Sequence, residues 1–161
     1  REWQLATIQL DFNQPERFGL EYAAADGTRQ RPVMVHRAIS GSLERFTAVL
    51  IELFAGGFRM WLAPEQVRVC TVGDDFAPFA NVLVKKLKMA DVRATLDDSN
   101  DKVGKKIRNA AMMKTPWTIV IGAKEVEGGD FQIKVFGSEE ALMVPAGELL
   151  AKIQEASKMP L

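Results

Sequence analysis

The stretch RPVMVHRAISGSLERFTAVLIE, residues 31–52, carries two periodicities and the chain's one histidine, His36. Val33, Val35, Arg37 and Ile39 alternate with Met34, His36 and Ala38, which is the period of a strand. Leu43, Phe46, Leu50, Leu53 and Phe54 then recur at helical spacing. A strand therefore gives way to a helix at Ser40-Gly41-Ser42. Upstream, residues 3–12 and 18–23 read as strands, with a turn at Asp26-Gly27 between them and the strand through His36. Strands joined by tight turns before a closing helix predict an antiparallel sheet. The helix stops at Ala55-Gly56-Gly57, and Trp61-Leu62-Ala63-Pro64 reads as a short stiff connector. We place a boundary here, giving domains 1–58 and 59–161.

Past the boundary the pattern becomes an alternation of strands and helices. Strands are predicted at 66–72, 92–96 and 117–121, with helices at 78–89 and 101–113 between them. A further strand, 131–135, follows the Gly128-Gly129 turn, and a last helix covers 145–158. The fold class is α/β, with a mixed sheet whose faces are covered by helices.

The 161 residues, 47% of them hydrophobic and 26% charged, are enough for one generous core or two modest ones. Lysine plus arginine and aspartate plus glutamate both number 21, so a polyanion-binding surface has to come from local segregation of charge. A single cysteine, Cys70, excludes an internal disulfide and reads as a small buried hydrophobe. No apolar run is long enough to span a bilayer, so no membrane role and a cytoplasmic location are expected. The chain opens on Arg1 and enters a strand-like run at once, which reads as a cut through a larger protein.

Charge is segregated. Lys85, Lys86, Lys88, Arg93, Lys102, Lys105, Lys106, Arg108, Lys114, Lys124 and Lys134 all fall in the second half. Positions 102, 105 and 106 share one side of the helix beginning near Asp101, so a basic face is expected there. On its own, a charge run reads first as a solvated helix surface.

Several segments point further. HRAISGSLERFTAVLIE (36–52), WQLATIQLDFNQPERFGLEY (3–22) and FRMWLAPEQVRV (58–69), continued by NDKVGKKIR (100–108) and IVIGAKEVE (119–127), together resemble the threonyl-tRNA synthetases, a family of class II aminoacyl-tRNA synthetases. The resemblance covers nearly the whole chain, in the family's order and spacing. It implies the end of an antiparallel class II catalytic domain followed by a mixed-sheet anticodon-binding domain. The activity implied is ATP-dependent activation of threonine and its transfer to the threonine tRNA. ATP enters with magnesium, and the longer enzyme is expected to be a homodimer.

The resemblance also assigns residues. Gly41 to Phe46 matches the third class II motif, whose arginine, here Arg45, holds the γ-phosphate of ATP. A guanidinium in the first turn of a helix offers forked donors to phosphate oxygens, and its charge stabilises departing pyrophosphate. His36 aligns with one ligand of a zinc ion that grips the threonine hydroxyl, a means of rejecting valine that an apolar pocket lacks. The other ligands lie outside this chain. Gln9 and Gln4 match active-site glutamines, and Thr7 lies on the same strand face as Gln9, whereas plain alternation puts Gln4 on the opposite one. Ala6 replaces the family's usual glycine. Ser42 matches a pocket-rim position and is also a good helix cap. In the second domain, Asn100, Arg108, Glu125 and Lys134 fall on positions that read anticodon bases. Lys134 stands where an arginine is usual, which reduces a bidentate contact to a point charge. Asn100 also suits the cap of the following helix. The alternative is a stand-alone RNA-binding accessory module without aminoacylation. The fragment by itself is expected to be inactive, because positioning ATP depends on motifs it does not contain.

Overall fold

The computed structural model describes residues 2–160. The chain divides into two compact units, Arg1–Leu53 and Phe54–Leu161.

In the first unit, β1 (Thr7–Asp11) pairs antiparallel with β4 (Met34–Ala38), as the alternation at His36 predicts. β2 (Tyr22–Ala23) and β3 (Arg29–Gln30) form a small antiparallel hairpin. Its turn is the expected Asp26-Gly27: Asp26 accepts from the Thr28 amide at 3.0 Å, and Gly27 has φ +80°. The long helix is α2 (Leu43–Phe54). Two expectations are corrected. The strand predicted over 3–12 is only five residues long, and most of the one predicted over 18–23 is lost. Between them runs a short helix, α1 (Asn13–Arg17), which hydrophobic alternation could not reveal. Asp11 Oδ1 accepts from the Asn13 and Gln14 amides at 2.9 and 3.0 Å, and Pro15 suits a helix's first turn. Ile8, Leu10 and Val35 are exposed, and α2 buries no residue.

The second unit is a five-stranded mixed sheet in the order β6-β5-β7-β8-β9. β5 (Val67–Thr71) is central among three parallel strands, flanked by β6 (Ala94–Asp97) and β7 (Trp117–Ile121). β8 (Phe131–Val135) and β9 (Ala141–Val144) continue it antiparallel. The connecting helices are α3 (Ala77–Met89), α4 (Val103–Met112) and the one-turn α5 (Ala123–Val126), and α6 (Leu149–Ser157) follows β9. Alternation along the strands sends Val67, Val69, Ile119, Ile121 and Ile133 into one core with Val84 and Leu87 of α3 and Ile153 of α6. Cys70 is fully buried, as expected, and that burial pushes its thiol pKa up to about 11. α4 packs on β5 and β7 and buries Ala110.

The sequence missed β9 and α5, both only four residues long. The last helix starts later than predicted, because the Glu148 amide donates to the Pro145 carbonyl in a turn that precedes it. After β5 the chain crosses to β6 on one side, and after β6 it returns to β7 on the other. Strand order therefore reverses at β5/β7, and crevices that bind ligands in open α/β sheets form outside the carboxyl ends at such points.

Candidate functional site

In the first unit the β1–β4 register sets the site. Directly opposed residues of an antiparallel pair share a face, and the pairs are Thr7 with Ala38, Gln9 with His36, and Asp11 with Met34. Thr7, Gln9, His36, Arg37 and Ala38 line one open depression of about 280 Å³. Gln4 lies before β1, so strand alternation does not apply to it. Its Nε2 donates to Thr7 Oγ1 at 3.1 Å, which ties Gln4 to the lining of the depression.

His36 Nε2 lies 3.0 Å from Asp11 Oδ2. This contact was not foreseen, although Asp11 sits two positions after Gln9, on the face that His36 shares across the ladder. The amide of Gln14 and then the His36 ring hold the Asp11 carboxyl below its ordinary pKa. One carboxylate thus anchors α1 and orients the imidazole. His36 and Asp11 fall short of the three protein ligands a catalytic zinc requires, and no group of three histidine, cysteine or acidic side chains suited to a metal occurs among the described residues. The donors of this chain do not by themselves fit a zinc site.

Ser42 occupies the helix-capping position: Arg45 donates its amide to Ser42 Oγ at 3.3 Å, and Ser42 Oγ donates to Glu44 Oε2 at 2.6 Å. Arg45 is exposed in the first turn of α2. Just before it, Gly41 takes φ +61°, and a Cβ there would stand 3.2 Å from the Leu5 carbonyl oxygen. The lead-in to α2 therefore runs close against the backbone between Gln4 and Thr7.

In the second unit, Asn100 and Glu125 follow the carboxyl ends of β6 and β7, at the same edge of the sheet. Asn100 is exposed but does not cap α4; that position belongs to Lys102. Glu125 is half-buried, and its Oε2 accepts from the Gly122 amide at 2.9 Å, which fixes the carboxylate against its own turn. Arg108 is exposed on α4. Its neighbour Ile107 lines a depression of about 220 Å³ together with Thr118, Lys134 and Phe136. Among the described residues no hydrogen bond or ion pair joins any two of Asn100, Arg108, Glu125 and Lys134.

The expected basic face of α4 is corrected. Lys106 is buried and donates to backbone carbonyls, while Lys105 Nζ pairs with Asp101 Oδ1 at 2.9 Å. Arg93 donates to the carbonyls of Ala63 and Trp61, and Lys114 to that of Ala55. Four of the eleven cations are thus tied to the protein, and Lys85, Lys86, Lys88, Lys102, Arg108, Lys124 and Lys134 remain exposed.

The family model described as "Anticodon binding domain" matches residues 66–156, and "tRNA synthetase class II core domain (G, H, P, S and T)" matches residues 1–54. A threonine–tRNA ligase of Synechocystis is 54% identical over 96% of the chain, and one of Micrococcus luteus is 49% identical over 97%. The chain spans 26% and 23% of those two relatives. The crystal structure of the RNA-binding domain of threonyl-tRNA synthetase from Cryptosporidium parvum superposes with a TM-score of 0.85 at 30% identity, covering 97% of this chain and 40% of that one. A prolyl-tRNA synthetase from the same organism shares the fold at 20% identity, with a TM-score of 0.62 over 94% of this chain and 34% of its own. No helix among the described residues is long and apolar enough to cross a membrane. With two synthetase family models laid end to end over these two units, the chain belongs to the threonyl-tRNA synthetase family, joining a stretch of class II core to an anticodon-binding domain.

Proposed function

We propose that the chain serves a threonine–tRNA ligase, a cytoplasmic homodimer that activates threonine with ATP and magnesium and transfers it to the threonine tRNA. Within it, residues 1–58 line the aminoacylation site and residues 59–161 read the anticodon. The observation that carries this reading is the pairing of Gln9 with His36 across β1 and β4, which gathers Thr7, Gln9 and His36 around one depression. A module that only binds RNA has no use for such a face. Gln4, Thr7, Gln9 and Ser42 contact threonine or the adenylate, and the Arg45 guanidinium holds ATP phosphate as pyrophosphate leaves. His36, oriented by Asp11, supplies one zinc ligand, and the remaining ligands come from outside this chain.

In the second domain, Asn100, Arg108, Glu125 and Lys134 face unstacked bases, whose Watson–Crick edges suit amide, guanidinium, carboxylate and ammonium groups. The test is binding of the cognate anticodon stem-loop and of a loop-scrambled control by the chain and by Arg108→Ala. Loss of a base contact should cost about 1–3 kcal/mol on the cognate loop and far less on the control. Equal losses on both would reduce this surface to a general cationic one.

A further inference from the structure

Lys106 is 2% exposed, and its Nζ donates to Thr71 O at 3.0 Å, Thr71 Oγ1 at 3.2 Å and Asp97 O at 3.1 Å. An ammonium has three donors, and here each meets an acceptor, none of them a carboxylate. Burying a cation on neutral acceptors is costly, and an apolar side chain of similar length would fill the same space at less cost. The arrangement therefore needs a reason beyond packing.

The acceptors suggest one. Thr71 ends β5 and Asp97 ends β6, so Lys106 joins the carboxyl ends of two neighbouring parallel strands, at the edge where Asn100 and Glu125 lie. From Asp97 the chain enters the loop of residues 97–102. Asp97 Oδ1 accepts from the Ser99 hydroxyl at 2.7 Å, which shapes the first half of the loop. In the second half, Asp101 forms an exposed ion pair with Lys105, a contact worth little by itself. Buried Lys106 thus anchors the start of the loop, and Asn100 is exposed further along it.

We propose that Lys106 is a positioning residue for anticodon recognition, fixing the loop of residues 97–102 so that the Asn100 amide meets its base in one orientation. This rests on the reading of Asn100 as a base reader. Lys106 touches no RNA; it acts through the loop.

The experiment is a double-mutant cycle on the 161-residue chain: wild type, Lys106→Met, Asn100→Ala and the double variant, each titrated with the cognate and the scrambled stem-loop over a range of salt. Lys106→Met should lower the preference for the cognate loop roughly tenfold, with the salt dependence of binding unchanged. In the Asn100→Ala background it should change that preference less than about twofold, because the group it positions is gone. Thermal destabilisation alone cannot produce that coupling. Full additivity of the two losses overturns the positioning role while leaving Asn100 as a base reader. A flattened salt dependence on both RNAs overturns it too, since Lys106 would then be reaching phosphate. If Asn100→Ala leaves the preference intact, the base-reader reading itself fails. Should Lys106→Met not fold, Thr71→Val removes one acceptor at nearly constant volume. It should lower the preference in the same direction by a smaller factor, and an unchanged preference there overturns the proposal.

Discussion

Thr115 Oγ1 donates to Glu65 Oε2 at 2.7 Å across fifty positions of sequence. The same carboxylate accepts from Arg68 through both oxygens, at 2.9 and 2.7 Å, and from the Thr95 hydroxyl. One side chain before β5 therefore reaches β5, β6 and the lead-in to β7. Glu65 gathers the three parallel strands from below as Lys106 gathers β5 and β6 from above.

Glu65→Gln should destabilise the chain by about 1–3 kcal/mol, because it removes a charge-assisted bidentate pair and leaves Arg68 half-buried without its partner. Burial pushes the Glu65 carboxyl up, but the hydrogen bonds from Arg68, Thr95 and Thr115 outweigh it, and the group is held below its ordinary 4.5. A depressed folded-state pKa means the stabilisation is present above the ordinary value and is lost as pH falls through the folded one. Thermal melts below about pH 4.5 should accordingly converge for wild type and Glu65→Gln. A gap that stays constant with pH would show that Glu65 acts by shape alone.

Gly129 lies where α5 turns back toward β8. Its amide donates to the Lys124 carbonyl at 2.8 Å, and a Cβ on it would stand 2.7 Å from that same oxygen. The clash is with backbone, which cannot swing aside as a flexible side chain can. Gly129→Ala should cost about 1–3 kcal/mol in urea unfolding. Gly147→Ala is the control, since nothing lies within 4 Å of its added methyl. Equal stability of the two variants would refute the close approach.

Lys105 separates what the sequence made legible from what it did not. Counting charges at 102, 105 and 106 suggested a basic face, yet Lys105 spends its charge on Asp101. Lys105→Ala should therefore change the salt dependence of RNA binding little, whereas Lys102→Ala, at an exposed position, should lower the slope by about one phosphate contact. Slopes that fall equally would restore Lys105 to the RNA surface. The parallel strands and long helices were readable because apolar side chains repeat at one period over enough residues to exceed noise. α5 and β9, at four residues each, are too short to show a period. Lys106 was misread because a charge count ignores direction: at i−4 from Ala110 it lies on the stripe that faces the sheet, and only its three acceptors make that tolerable. The shared face of Thr7, Gln9 and Asp11 was legible from alternation. The contact from Asp11 to His36 was not, because it depends on register between strands more than twenty residues apart.

His36 gives the last prediction. Its ring meets the carboxylate of Asp11, whose Oδ1 is already committed to the amides of Asn13 and Gln14 and whose Oδ2 faces the imidazole. Recruiting that carboxylate to a metal would cost the start of α1 an acceptor, and one imidazole with one carboxylate still falls short of the three protein ligands a zinc site of this kind uses. Zinc titrated into the metal-free 161-residue chain should therefore show no stoichiometric site that depends on His36, and the curve for His36→Ala should superimpose on wild type. Asp11→Asn should leave the metal titration unchanged, yet lower the helical signal of α1, because an amide oxygen accepts those N–H groups less strongly than a carboxylate. One equivalent of zinc bound by wild type and lost in His36→Ala would mean that the chain completes its own metal site, and the assignment of His36 as a single ligand in a larger set would be withdrawn.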